Sequence, residues 1–359
     1  MNPYDFVRVA WDQPGQRRMA PRCDRFEDLS GRFEGTVTAL TPVLIAADHG
    51  RDMLTFQQDQ HRRHIIPGAS LKGLFRSLVE TLDGGTWWFF GGENRGEWRD
   101  RDTQSGSVNY SDNLPDEFKR PSNRDELDAA CRLFGFLSRD SLAAGSVGFD
   151  DAICEAPVTH SPFYTCALSG PKPRHNVWYL DDDQNRVRGR KFYFHSTQLQ
   201  TVRGWLPRQD IEPHRRQNAY IQPVGAGSVF TFRGQFTNVT ADDLALLLYA
   251  IVLEPVMRHK VGYAKPAGLG SVEIKLNRLE MIDYHARYRS PKDKGMTRYE
   301  GQALNAYIEQ AIQPFTTNRT STTLQDLRRI WQWPPVHQVV YPDQNWFQGH
   351  RTTPLHDSP

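Results

Sequence analysis

A chain of 359 residues has room for one large domain or two ordinary ones, and 38% hydrophobic residues exclude disorder over most of its length. A net charge of +2 does not by itself demand a polyanionic partner, and no apolar run approaches the ~18 residues that a membrane span needs. Cys23, Cys131, Cys154 and Cys166 form no CxxC pair, and the opening stretch (Asn2, Asp5, Arg8, Asp12) is too polar for a secretory signal. The expected setting is reduced and cytoplasmic.

In chain order, residues 1–31 read as a lead-in of low order. Arg32 to Ala47 reads as a long strand with Phe33, Gly35, Val37 and Ala39 on one side. Asp48 to His64 is polar and reads as a loop. Ile65-Ile66 ends a strand, Pro67-Gly68 turns, and Leu71, Leu74, Phe75, Leu78, Val79 and Leu82 then fall on one helical face. Gly84-Gly85 and Gly91-Gly92 frame Trp87, Trp88, Phe89 and Phe90, read as core, and residues 93–128 are dense in both charges. A second helix is expected from Arg124 to Phe134, capped by Ser122 or Asn123, and a short strand from Gly145 to Ile153. Cys154 to Gln222 lacks helical period and reads as an extended insertion. Ser228 to Phe236 alternates, with Phe230, Phe232, Gly234 and Phe236 on one face. Thr240 caps an apolar helix from Ala241 to Leu253, a glycine-rich loop and a strand fill Gly262 to Ile282, and two helices follow (Tyr299 to Gln313, Thr323 to Trp333).

Two segments carry chemistry. Ser70, Lys72 and Arg76 lie at or near a helix start, where unpaired N–H groups attract phosphate, although an ordinary capped helix has the same look. In Lys260-Val261-Gly262-Tyr263-Ala264-Lys265-Pro266-Ala267-Gly268-Leu269-Gly270-Ser271, glycines permit close backbone approach and two lysines add charge. A strand follows this loop, so it is neither a Walker loop nor a dinucleotide fingerprint. From Arg186 to Arg216 eight Lys/Arg face two acids, about +6. Cys154, His160, Cys166 and His175 fit no compact zinc spacing. The order of core elements is strand, helix, strand, strand, helix, strand. That is the order of an α+β, ferredoxin-like (RRM-like) unit with large insertions, whose sheets commonly offer an open face to single-stranded RNA.

Together, Ile66-Pro67-Gly68-Ala69-Ser70-Leu71-Lys72-Gly73, Cys131 to Gly135 followed by Gly145 to Ala152, the Lys260–Ser271 loop and Arg188-Gly189-Arg190-Lys191-Phe192-Tyr193 resemble the RAMP superfamily of CRISPR-associated proteins. The match is to backbone subunits of type III and related effector complexes, and it spans roughly residues 32–280. The resemblance implies a ferredoxin-like palm (32–154 and 223–283) and a β-hairpin thumb within 155–222; the lead-in and the helical extension and tail read at 284–359 match nothing in the family. It implies copies that stack along a guide RNA (crRNA) and present it to complementary target RNA, beside other effector subunits and away from any membrane. The expected RNA-binding residues are Ser70, Lys72, Arg76, Arg188, Arg190, Lys191, Lys260, Lys265, Gly268 and Gly270. Active relatives cut target RNA with a loop aspartate. Asp52 is the first choice here, as catalytic and metal-holding residue with Mg²⁺ or Mn²⁺, and Asp48 is the second; no organic cofactor is expected. Three alternatives stay open. One is an inert backbone serving a separate nuclease. Another is a guide-processing endoribonuclease using His49, His61 or His64, and the last is a cap subunit.

Overall fold

The computed structural model describes residues 2–22, 24–47, 52–87, 114–138, 141–168, 187–206, 218–289 and 291–342, together with 178, 346, 349, 350 and 353. The expected core elements form, in order, β1 (Leu29–Ala39), α1 (Gly68–Leu82), β2 (Val147–Phe149), β3 (Val229–Val239), α2 (Ala241–Val252) and β4 (Ser271–Ile282). The strands lie in the order β4-β1-β3-β2, with antiparallel neighbours throughout. This is the ferredoxin-like arrangement.

Three cross-strand pairs explain how the central strands close on each other. Phe33 faces Gly234, Phe232 faces Gly35, and Phe236 faces Gly31. A Cβ on any of these glycines would run into its partner's ring. Each glycine is thus the space for one aromatic side chain, and all of them lie on the helix-covered face. Leu71, Phe75, Leu78 and Val79 of α1 and Leu244, Leu247, Leu248 and Ile251 of α2 complete that core. Burial contributes about 1.5–3 kcal/mol per large side chain. Thr240 caps α2 by accepting from the Asp243 N–H (3.2 Å).

The opposite sheet face differs from the expected RNA platform. It carries Arg32, Glu34, Thr36, Thr231, Arg233, Gln235, Lys275 and Arg278. Ion pairs cross it, from Arg233 to Glu34 (2.8 Å), Arg278 to Glu34 (3.1 Å) and to Glu300 (2.6 Å), and Arg298 to Glu280 (2.8 Å). Strict alternation sends the strand phenylalanines to the helix side, so this face keeps opposite charges next to each other and no stacking ring of β1 or β3.

Outside the palm, several expectations change. The lead-in contains a buried strand, Tyr4–Val7, paired with Arg190–Tyr193. The stretch read as a loop holds the strand Met53–Thr55, which joins Tyr220–Gln222, Phe163–Thr165 and Thr201–Val202 in a second sheet. The second helix is shorter than expected, Ala129–Phe134, and Asp128 is its cap, accepting from Cys131 N–H (2.7 Å). The described parts of 155–222 therefore fold back on the body. Residues 169–177, 179–186 and 207–217, where a thumb tip would fall, lie outside the described residues, as do Trp88, Phe89 and Phe90. The C-terminal helices form at Gly301–Thr316 and Thr322–Ile330. The second is tied to the N-terminal strand by Arg8–Asp326 (2.7 Å) and Arg329–Asp5 (2.6 Å).

Candidate nucleic-acid interface

The two signature segments meet because their ends lock together. Asp151, in the turn after β2, accepts from the Gly68 N–H (2.8 Å) at the start of α1. A Cβ on Gly68 would collide with the Phe149 carbonyl. The helix start expected to hold phosphate thus already holds the chain's own carboxylate, with Pro67 as its cap residue.

The unpaired basic side chains gather one turn further along. A cleft of about 550 Å³ opens between the outer face of α1 (Ser70, Gly73, Leu74, Ser77), the strand Arg190–Tyr193, the Leu44–Ala46 segment and the Lys260–Lys265 loop. That volume is in the range of ligand sites. Lys191 from its strand and Lys260 and Lys265 from the one loop converge on it, and among the described residues none of them has a carboxylate partner. Lys191 Nζ lies 3.5 Å from the Tyr4 ring centroid and 5.1 Å from that of Tyr193; Lys265 Nζ lies 6.0 Å from Tyr193. Lys260 Nζ donates to Ser271 Oγ (3.3 Å). Ser271 Oγ in turn donates to His195 Nδ1 (2.8 Å), and His195 Nε2 donates to the Arg258 carbonyl (3.0 Å), which fixes the neutral tautomer.

Burial without a counter-charge has an electrostatic consequence. It pushes Lys191 down to about 8. Burial, helped by the charge of Lys265, pushes Lys260 down to about 7, and burial lowers Lys265 as well. His195 is pushed down to about 3, first by burial and then by Lys260. Lys260 is buried and Lys191 and Lys265 are half-buried, and ammonium groups so desolvated, with rings and a hydroxyl for partners, are less favourable than in water until an anion arrives.

Of the expected RNA-binding residues, Ser70, Lys191, Lys260 and Lys265 line this cleft. The others do not. Arg190 donates to Glu80 (3.3 Å) and to the Gly85 and Thr86 carbonyls (2.9 Å each). Arg76 donates to Glu80 (2.8 Å) and the Gly135 carbonyl (2.9 Å). Lys72 is half-buried on α1, its pKa lowered by burial and then by Arg76. Arg188 lies just before the strand, outside the cleft lining. Gly268 and Gly270 have φ of 96° and 84°, and a Cβ there would strike the Gln198 and Val261 carbonyls, so these glycines make room for protein backbone.

The carboxylates lie elsewhere. Asp52 is exposed beside Met53–Thr55 and does not line the cleft; Asp48 and His49 lie outside the described residues. Asp59 accepts from the His61 and Arg63 N–H groups (2.9 Å each) and pairs with Arg63 (2.7 Å), which shapes its loop. His61 is exposed, and His64 packs on Phe56. Among the described residues no three His, Cys, Asp or Glu side chains gather to hold a metal; the Cys154–His160–Cys166 set is not assembled, and His175 lies outside them. No helix among them is long and apolar enough to cross a membrane. Sequence reasoning missed Tyr4, Ser77 and Tyr263 as cleft partners. The apolar pattern of Tyr4, Phe6 and Val7 was the available signal for the first.

Residues 36–273 match the family model of the RAMP superfamily, well over half of the chain. The chain belongs to the RAMP superfamily. No curated protein matches. Among solved structures, a chain of a type IV-B CRISPR complex is similar, with 15% identity and a TM-score of 0.36, over 68% of this chain and 90% of that one. The superfamily match spans α1, the cleft strand and the Gly-rich loop, so each wall of the cleft has a segment inside it.

Proposed function

We propose that this protein is a guide-RNA-binding backbone subunit of a CRISPR effector complex, and that the lysine cleft grips the guide's phosphates. The observation that carries this reading is the convergence of buried Lys260 and half-buried Lys191 and Lys265, none with a carboxylate, on one cleft of a RAMP-superfamily chain. Backbone phosphates supply the missing charge whatever the base sequence, which suits a subunit that must accept any guide. Copies of the chain, complementary target RNA and other effector subunits are the expected partners.

The deciding measurement is RNA affinity against salt. Lys191→Ala combined with Lys265→Ala should weaken binding of unrelated guides equally and lower the salt slope by about 0.7 per lost single-strand contact. An unchanged slope in a folded double variant rejects the reading.

Target cleavage is a finer proposal, with Asp52 contributing to an in-line attack by the 2′-hydroxyl in Mg²⁺ or Mn²⁺. Asp52→Ala should then abolish cutting and leave binding intact. An inert backbone is the second reading, favoured by the position of Asp52 outside the cleft. Full cleavage by Asp52→Ala, or none by the wild type with either metal, selects against Asp52.

A further inference from the structure

At the far end of β4 the chain displays a stack of aromatic rings unrelated to the cleft. Phe26 and Tyr284 stack with centroids 3.8 Å apart at 21°, and Tyr284 and Tyr288 with centroids 6.2 Å apart at 15°. Tyr288 is 78% exposed and Phe26 is 42% exposed. Large rings in near-parallel array at the surface are unusual, because stacked aromatics normally serve to fill a core.

The array is held from beneath. Tyr284 and Tyr288 stand at i and i+4 on a short helix, Tyr284–Arg289, with Arg287 beside them. Asp283 accepts from the Ala286 N–H (3.0 Å), and its own N–H donates to the Gly295 carbonyl (2.7 Å), which closes the segment at its base. Gly295 has φ of 53°, and a Cβ there would meet the Asp283 carbonyl. The rings are therefore presented on a braced loop between β4 and the strand Met296–Glu300.

The charge around the rings is slightly positive and favours an anionic occupant. Among the described residues Arg287, Arg289 and Lys294 have no carboxylate partner. Of the acids nearby, Asp24 pairs with Arg22 (2.7 Å) and Glu27 with Arg25 (3.9 Å), while Asp283 and Asp293 accept backbone N–H groups. A backbone hydrogen bond leaves a carboxylate charged, so Arg287, Arg289, Lys292 and Lys294 stand against Asp28, Asp283 and Asp293, four cations to three acids. An apolar protein partner would gain nothing from these cations. A single strand of nucleic acid uses both features, bases on the rings and phosphates on the guanidinium and ammonium groups.

We infer that Phe26, Tyr284 and Tyr288, with Arg287 and Arg289, form a second binding site for single-stranded RNA, one that stacks bases. The 12 residues of β4 separate it from the cleft by about 36 Å at ~3.3 Å per residue. The two sites are independent contacts on one strand or on two.

The test uses the full chain and a short oligoadenylate, plus an oligonucleotide carrying 5-iodouridine for photocrosslinking. Tyr288→Leu should weaken oligoadenylate binding about tenfold, and Tyr288→Phe should restore it, because stacking needs the ring and not the hydroxyl. Crosslinks should map to the peptide containing Tyr284 and Tyr288. The same tenfold loss should appear in a Lys260→Met background, so failure of the cleft proposal would not imitate failure here. Wild-type affinity in Tyr288→Leu together with no crosslink in that peptide overturns the inference. So does a change in oligomeric mass on Tyr288→Leu with RNA binding unaltered, which would make the stack a protein-docking face.

Discussion

Arg190 and Lys191 are neighbours on one strand, and they meet opposite fates. Arg190 turns inward to Glu80, stacks its guanidinium 4.4 Å from the Trp87 ring centroid and is neutralised. Lys191 turns to the cleft and finds only the rings of Tyr4 and Tyr193. The same contrast extends around each residue. On the inner side, Arg132 makes a buried pair with Asp243 (2.8 and 2.7 Å), and Asp128 caps the neighbouring helix and accepts from the Thr86 N–H (2.8 Å). On the outer side, Lys191, Lys260 and Lys265 share a cleft with no acid. A buried cation with its carboxylate holds a fold together. A buried cation without one destabilises the empty protein and prepares it for an anion.

The contrast can be broken most severely at Arg132. Arg132→Met strands Asp243 in the interior, and the expected loss is about 3–5 kcal/mol of stability. Chemical denaturation should show it, while the fraction that remains folded should bind RNA with wild-type affinity.

Lys260→Met should act in the opposite direction. Removing a desolvated ammonium without disturbing a pair should raise the melting temperature of the RNA-free protein by a few degrees, on the order of 1 kcal/mol, and weaken RNA binding about tenfold. A lower melting temperature would show that Lys260 serves the fold.

The pH profile sharpens the same point. Lys191 and Lys260 have folded pKa values of about 8 and about 7 against ~10.4 unfolded. Between those values the unfolded chain holds more protons, so this contribution to stability rises with pH from about 7 to about 10 and is smallest below 7. Cys131 and Tyr249, pushed up mainly by burial, run the other way at high pH. The difference between wild-type and Lys260→Met melting profiles cancels them, and should shrink toward pH 10. Bound RNA should flatten the wild-type rise, because phosphate keeps the lysines charged. Calorimetry in two buffers near pH 8 should correspondingly detect proton uptake on binding. His195 and His259, at about 3 and about 4, contribute in a separate window, where stability falls as pH drops below about 6.5.

The smallest effect is expected on the open sheet face. Arg233 is 70% exposed in its pair with Glu34, and exposed pairs contribute about 0–1 kcal/mol. Arg233→Gln should leave both the melting temperature and the salt slope of RNA binding nearly unchanged. A slope change would return that face to the RNA interface.

Much of the palm was legible because its signals are local. The helical spacing of Leu71 to Leu82 and the Thr240 cap specify their elements within a turn or two, as does the two-residue alternation of Phe230 to Phe236. The buried strand Tyr4–Val7 was not legible. It is four residues long, and its partner, Arg190–Tyr193, lies far along the chain. Met53–Thr55 was hidden likewise, its parallel partner being Tyr220–Gln222. Local pattern carries no record of such pairings.

For the candidate site, the sequence alone determined the composition, namely basic residues beside α1 and in a glycine-rich loop before β4. Only the tertiary structure decided which of them have counter-charges. Adjacent strand residues point to opposite sides, so Arg190 and Lys191 separate at once, and the acid that claims Arg190 is Glu80, 110 positions away. Whether a cation is neutralised depends on where a distant carboxylate comes to rest, which the fold fixes and the neighbouring residues do not.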